Sequence, residues 1–192
     1  MTFVPPKPPK PDVPQRLLIG VSGSIASLAL PTYLNVFRAM GVDRMTLVLT
    51  PAAEKFLPAA TLALISDTVV TEADHGPGHV ALARWADGIL VLPATAHLLG
   101  CAAHGLGPNL LSTTLLAAEE PVVFVPAMNP VMWRGAAVRR NVRQLRADGH
   151  VVVEPVEGQA YEVATRTLRP GLTLPPPETL LAATRRVTEE AA

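Results

Sequence analysis

Cysteine is nearly absent from this sequence: Cys101 is the single thiol among 192 residues. An intrachain disulfide and a cysteine-built metal cluster are therefore excluded, and no metal site is expected. A reducing cytoplasm is the simple reading of such cysteine usage. Net charge is missing too. Lysine plus arginine and aspartate plus glutamate number 16 each, a formal net charge of zero, whereas nucleic-acid binding leaves a basic footprint. No uninterrupted apolar run approaches the roughly 20 residues needed to span a bilayer. The first residues lack the apolar stretch of a signal peptide. A soluble chain is expected, with neither nucleic acid nor membrane as partner. Aromatic residues make up only 4% of the chain. A core of alanine, leucine and valine relies on close helix–sheet packing, and often on partner subunits to finish burial.

Apolar material is plentiful. The chain is 49% hydrophobic against 17% charged, enough for one sizeable core in a single domain. Residues 1–14 form a proline-rich stretch. Proline fixes φ and removes a donor, so this arm is expected to be extended or disordered, with the folded domain over 15–192. Arg16–Val21 (RLLIGV) reads as a buried strand entering a tight turn. Residues 25–40 carry apolar side chains at helical spacing and stop at Gly41. Arg44–Leu49 is a second strand, ahead of a helical AAEKFL. Residues 88–92 and 121–125 are further strands, and 98–117 is helical with a break near 105–108. Residues 130–147 are helical with arginines on one face, and 150–153 is the last strong strand. Continuously apolar strands alternating with helices predict an α/β fold with a mostly parallel sheet flanked by helices. Residues 155–175, rich in glycine and proline, predict a hairpin or flap.

In such sheets ligands sit beyond the carboxyl ends of the strands, and each of those ends carries a candidate segment. Gly20–Ala26 (GVSGSIA) places small residues between strand and helix. That suits an anion on free backbone N–H groups, or simply a tight turn with Ser24 as N-cap. It has neither the spacing of a dinucleotide fingerprint nor a Walker lysine. Thr50 offers a phosphate donor or another cap. Pro93-Ala94-Thr95-Ala96-His97 is small and uncharged, so a flat ring can approach its backbone; a helix start explains it equally. Residues 126–133 (PAMNPVMW) set an asparagine between two methionines and a tryptophan. Asn129 can donate to a carboxylate without adding charge, or belong to an Asn-Pro turn. His79 has the side chain of a base near neutral pH, in competition with His75, His97, His104 and His150.

Together these segments resemble the homo-oligomeric flavin-containing cysteine decarboxylases, over about residues 17–181. That family includes phosphopantothenoylcysteine decarboxylase and the epidermin-type peptidyl-cysteine decarboxylases. The first loop matches at Gly20–Ala26, the histidine at His79-Val80 ahead of Ala86-Asp87, a PASANT-like motif at 93–97 and a P-x-M-N-x-x-M-W motif at 126–133. The resemblance implies a single Rossmann-like, flavodoxin-type domain binding FMN. It also implies a trimer with the flavin at a subunit interface, trimers often building dodecamers. Carried onto this chain residue by residue, it puts Ser22, Gly23, Ser24, Ile25 and Thr50 on the phosphate side. Pro93, Ala94, Thr95 and Ala96, with Phe56 and Ser112, line the cofactor. His79 matches the active-site histidine and Asn129 the asparagine that grips the substrate carboxylate. Met128, Met132, Trp133 and Tyr161 are the expected neighbours of the substrate.

Two departures matter. His97 stands where the motif usually has asparagine. The cysteine by which phosphopantothenoylcysteine decarboxylases reduce their ene-thiol is missing, since no cysteine follows Cys101. The expected reaction is therefore FMN-dependent oxidative decarboxylation of a precursor peptide's C-terminal cysteine, stopping at the ene-thiol. A partner cyclase or dehydratase would complete an aminovinyl-cysteine ring of a lanthipeptide-type antibiotic. Competing readings are a decarboxylase of coenzyme A synthesis, a non-catalytic flavin-binding regulatory subunit, and a flavin prenyltransferase, the last opposed by the P-x-M-N motif.

Overall fold

The computed structural model describes residues 13–74 and 78–190, the side chains of 186–190 excepted. Most of the proline-rich arm (residues 1–12) and His75 lie outside the described residues. Six strands form one parallel sheet: β1 (Arg16–Val21), β2 (Arg44–Leu49), β3 (Thr68–Val70), β4 (Gly88–Ala94), β5 (Val123–Pro126) and β6 (Val151–Val152). Their order is β3-β2-β1-β4-β5-β6, so the chain reverses its direction of winding between β1 and β4. At that reversal the connections leave on opposite sides and open a crevice at the carboxyl ends. Arg16–Val21 and Arg44–Leu49 are the strands expected from the apolar pattern.

The helices are α1 (Leu30–Ala39), α2 (Ala59–Leu62), α3 (His79–Trp85), α4 (Ala96–Ala103), α5 (Leu110–Leu116), α6 (Pro130–Arg134), α7 (Ala136–Ala147) and α8 (Pro177–Glu190). Each strand divides its side chains between two cores because successive residues point to opposite faces. Leu17, Ile19, Leu47, Leu90 and Val123 pack with Leu34 and Phe37 of α1 and with Leu180 and Leu181 of α8. Leu18, Val48, Val91 and Phe124 pack the other way, with Leu82 of α3, Leu98 of α4, Leu111 of α5 and Leu145 of α7. Both faces are covered, which is why these strands read as unbroken apolar runs. No helix among the described residues is long and apolar enough to cross a membrane.

Several elements differ from their sequence-based bounds. The helix expected over 25–40 is a short 3-10 turn (Ile25–Ala29) followed by α1, because Pro31 suits a helix start rather than its interior. Residues 51–56 are a run of turns, not a helix. Pro51 and Pro58 bracket this segment, and the residue before a proline is pushed out of the helical region. The helix over 130–147 is split at Gly135, where a Cβ would lie 2.9 Å from the Met132 carbonyl oxygen. Residues 155–175 do form a hairpin, β7 (Val156–Glu162) against β8 (Thr167–Thr173), antiparallel and separate from the main sheet. Tyr33 pins the hairpin's exit to α1, donating from its buried hydroxyl to the Pro175 carbonyl at 2.8 Å.

His150 closes the opposite, amino end of the sheet. Its Nδ1 accepts from the Val122 amide at 3.1 Å, and its ring meets Phe124 edge-on. Burial holds the imidazole below its ordinary pKa of 6.5, outweighing the attraction of Asp148. Nδ1 must be unprotonated to accept, so the native state binds a proton less readily than the unfolded chain. This contribution to stability is complete above the unfolded value of 6.5 and falls as pH drops from there through the lower folded value. Thermal melts from pH 7.5 to 5 should show the native protein losing stability faster than His150→Asn; equal slopes would remove His150 from the account.

Candidate functional site

The switch point is stitched together by one hydroxyl. Ser22, just past β1, donates from Oγ to the Pro93 carbonyl at 2.7 Å and accepts from the Thr95 amide at 2.9 Å. Its backbone N–H also reaches the Pro93 carbonyl, at 3.2 Å. That hydroxyl has no hydrogen left for a ligand, so Ser22 sets the spacing of the two loops. The next residues are different. The N–H groups of Gly23, Ser24 and Ile25 meet no acceptor among the described residues, while Ser24 Oγ accepts from Ala26 N at 3.3 Å and caps the 3-10 turn. Successive free N–H groups beside small residues make an anion cradle.

Gly23 is required there. A Cβ at this position would stand 2.5 Å from Ala52 Cβ and 2.8 Å from the Ala52 carbonyl carbon. The cradle and the turn after β2 thus touch backbone to backbone. Thr50 anchors that turn, its amide donating to the Val21 carbonyl at 3.0 Å and its Oγ1 accepting from Ala53 N at 3.3 Å. Its own O–H remains available. Gly23→Ala should push the two loops apart, destabilise the fold by about 1–3 kcal/mol and weaken FMN binding more than the melting shift alone explains. Denaturation and FMN fluorescence titration check both; an unchanged affinity would remove the cradle from the cofactor site.

On the other side of the crevice, β4 ends in the buried Pro93 and Ala94, with a cis peptide at Leu92–Pro93. Thr95 caps α4, its Oγ1 accepting from Leu98 N at 3.3 Å. Ala127 N donates to the Ala94 carbonyl at 2.9 Å and brings the β5 loop alongside. Phe56 is half-buried in the turns after β2. Ser112 is buried in a capping box, donating to the Asn109 carbonyl at 2.9 Å and accepting from the Asn109 amide at 3.1 Å. Like Ser22, it acts through the fold.

Asn129 is the N-cap of α6, and the cap decides which way its amide faces. Oδ1 accepts from the Val131 N–H at 2.7 Å. A backbone N–H can be met only by the oxygen, so Nδ2 is left as a donor with no acceptor among the described residues. The α6 segment is itself clamped. Trp133 is buried beneath the Arg139 guanidinium, 4.8 Å from its ring centre, and Arg139 reaches Glu154 at 3.6 Å. Met128 is half-buried, whereas Val131 and Met132 face solvent at 71% and 50% exposure. Exposed apolar side chains beside a site suit covering by another molecule.

Asn129 opens onto a cleft of about 730 Å³ between the β1 and β5 loops and the hairpin. Ser24, Ile25, Met128, Asn129 and Tyr161 of the expected site residues line it. Its other walls are largely apolar, including Ala29, Tyr33, Val163, Pro170 and Leu174. The charged lining residues, Glu162 and Arg169, pair with each other at 3.3 Å across the hairpin. The hairpin's residues 159–164 and 169–175 resemble in sequence the flap that closes over the peptide in epidermin-type enzymes, whereas Tyr33 in the wall carried no sequence signal. His79 is not in this cleft. It is the exposed first residue of α3, whose Leu82 packs on the opposite face of the sheet from α1. His79 and Asn129 therefore do not line one cleft among the described residues.

Comparison with known proteins gives a consistent picture. The flavoprotein family profile matches residues 6–168. Mersacidin decarboxylase of Bacillus sp. (strain HIL-Y85/54728) is 41% identical over 181 residues, spanning 92% of each chain. Among solved structures, a variant of EpiD complexed with the substrate peptide DSYTC superposes with a TM-score of 0.82 at 25% identity. The match covers 88% of this chain and 97% of that one. The FMN-dependent cysteine decarboxylase SpaF gives 0.76 at 37% identity, covering 91% and 97%.

Proposed function

The chain belongs to the flavoprotein family, and from that premise we propose that it is an FMN-dependent peptidyl-cysteine decarboxylase acting on the C-terminal cysteine of a precursor peptide. The observation that carries this reading is the cleft itself: an asparagine in its lining whose Nδ2 is left as an uncharged donor, largely apolar walls, and a hairpin along one side. FMN suits the crevice beside it. The free N–H groups of residues 23–25 would hold its phosphate, and the small, buried end of β4 would admit the flat ring system. Bound FMN supplies the two-electron oxidation that an unsaturated thiol product requires.

The protein's part is binding, orientation and proton transfer. Asn129 Nδ2 donates to the terminal carboxylate, holding it without neutralising it, so that it can leave as CO2. The β7–β8 hairpin clamps the preceding residues and keeps water out. His79 takes the thiol proton, and because it lies outside the cleft of its own chain it comes from a second copy. The working unit is thus a homo-oligomer, a trimer or trimers assembled into a dodecamer, in the cytoplasm. Without a cysteine after Cys101 to reduce it, the ene-thiol is released to a cyclase that closes an aminovinyl-cysteine ring, in antibiotic biosynthesis of the lanthipeptide type.

The test is anaerobic incubation of FMN-loaded protein with short peptides ending in cysteine, followed by mass spectrometry. A loss of about 46 mass units, one CO2 plus two hydrogens, with bleaching of the flavin, is the expected result. Turnover of phosphopantothenoylcysteine but of no peptide would place the chain in coenzyme A synthesis instead. Silence with both would favour a flavin-binding regulatory subunit.

A further inference from the structure

The chain has two tyrosines, and both line the cleft. Tyr161 stands on the hairpin. Tyr33 stands on α1, buried, with its ring edge-on to Phe37 at 6.2 Å. No step of the reaction uses the Tyr33 hydroxyl, yet that hydroxyl sits at the root of the hairpin. The backbone bonds of the hairpin run between β7 and β8, and neither strand joins the main sheet. Near its turn Thr165 donates to Glu162 at 2.7 Å, again within the hairpin. Leu172 and Leu174, at and just past the end of β8, rest partly buried on the two cores. Val163 and Leu168, toward the turn, are 59% and 66% exposed. The hairpin is thus held at its root and open at its tip. At that root Pro175 is buried, and its carbonyl accepts from Tyr33 at 2.8 Å. Burial, with the charge of Glu178, holds the phenol above its ordinary pKa, so the oxygen keeps its hydrogen and donates. A phenylalanine there would keep the ring and leave the carbonyl without this donor. A buried carbonyl lacking a donor is costly, and moving out to water relieves the cost. The penalty therefore falls on the seated hairpin and not on the sheet.

We propose that Tyr33 is a positioning residue for the peptide: its hydroxyl seats the root of the hairpin so that β7 and β8 wall the cleft, and substrate affinity depends on that seating. The inference rests on the cleft being the peptide's site. A ligand that needs the seated form binds in proportion to the fraction of molecules that hold it. Loosening the root therefore weakens the peptide without touching the reacting groups or the anion cradle.

The experiment compares the FMN-loaded parent with Tyr33→Phe, using short peptides ending in cysteine for kinetics and hydrogen-exchange mass spectrometry for the hairpin. Tyr33→Phe should raise KM about tenfold, the worth of one hydrogen bond, and leave kcat and FMN affinity near the parent values. Amides of residues 156–173 should exchange faster in the variant, while those of the main sheet keep their protection. A parent-like KM would overturn the proposal, as would a fall in kcat with KM unmoved. Faster exchange across the main sheet, or a variant that does not fold, would mark a merely structural role and overturn it as well. If the parent turns over no peptide, the reading of the cleft itself fails; if the parent is active and Tyr33→Phe matches it, only the role of Tyr33 does.

Discussion

Asn129→Asp is expected to fold like the parent, bind FMN, and lose about a thousandfold in kcat/KM toward a peptide ending in cysteine. The substitution is nearly isosteric, and aspartate is as good an N-cap as asparagine. Its carboxylate still accepts from the Val131 N–H, so α6 and the Trp133 clamp should survive. What changes is the other end of the side chain. Nδ2, free to donate into the cleft, becomes a second anionic oxygen facing the substrate carboxylate. Losing a hydrogen bond to a charged group costs about 1.5–3 kcal/mol. Like charges near 4 Å add up to about 4 kcal/mol at a partly wetted site. Asn129→Ala is less informative, because it removes cap and donor together. Steady-state kinetics with a melting curve decides the matter: a full-strength Asp variant would take Asn129 out of carboxylate binding.

His79→Asn is expected to keep its FMN and its fold and to drop turnover by about a hundredfold to ten-thousandfold, the range for removing a general base. His79 is exposed at the start of α3 and makes no side-chain hydrogen bond or ion pair among the described residues. The sharper result comes from mixing. If the base of one copy serves the cleft of another, a dead His79→Asn chain and a dead Asn129→Asp chain, co-assembled in equal amounts, regenerate about a quarter of their sites with both native residues. Mixed oligomers that stay inactive would show that the two residues do not share a site across copies.

Much of the architecture was legible in local pattern. The strands at 16–21 and 44–49 were bounded correctly because a strand buried on both faces is an unbroken apolar run, and Gly41, with φ +100, ends α1 where glycine at a helix end should. β3 was not legible. Thr68–Val70 is a three-residue edge strand whose identity lies in its pairing with Thr46–Val48. The last helix carried a signal that was not used: Leu180 and Leu181 supply apolar side chains to the core, inside a segment that ends in charged residues. Residues 52–57 looked helical by composition, and the two prolines that bracket them overrode it.

The site divides the same way. Residue types and spacing by themselves pointed to candidate segments after β1, β2, β4 and β5, and to Asn129 as a neutral donor. They also determined that no cysteine follows Cys101 to reduce the product. Only the tertiary structure decided that Ser22 has no hydroxyl hydrogen to spare: it donates to Pro93, 71 residues away, whereas Ser112 spends its own on Asn109 within a local capping box. The cap of α6 leaves Asn129, which lines the cleft, with Nδ2 as its spare donor, because the Val131 N–H claims the oxygen. The structure also keeps His79 out of the cleft that Asn129 lines. Local composition selects strands, turns and donors because those preferences act over a few residues. Which loops meet across the crevice, as at Ser22 with Pro93 and Tyr33 with Pro175, depends on partners distant in sequence, and those are settled only when the sheet and its hairpin close.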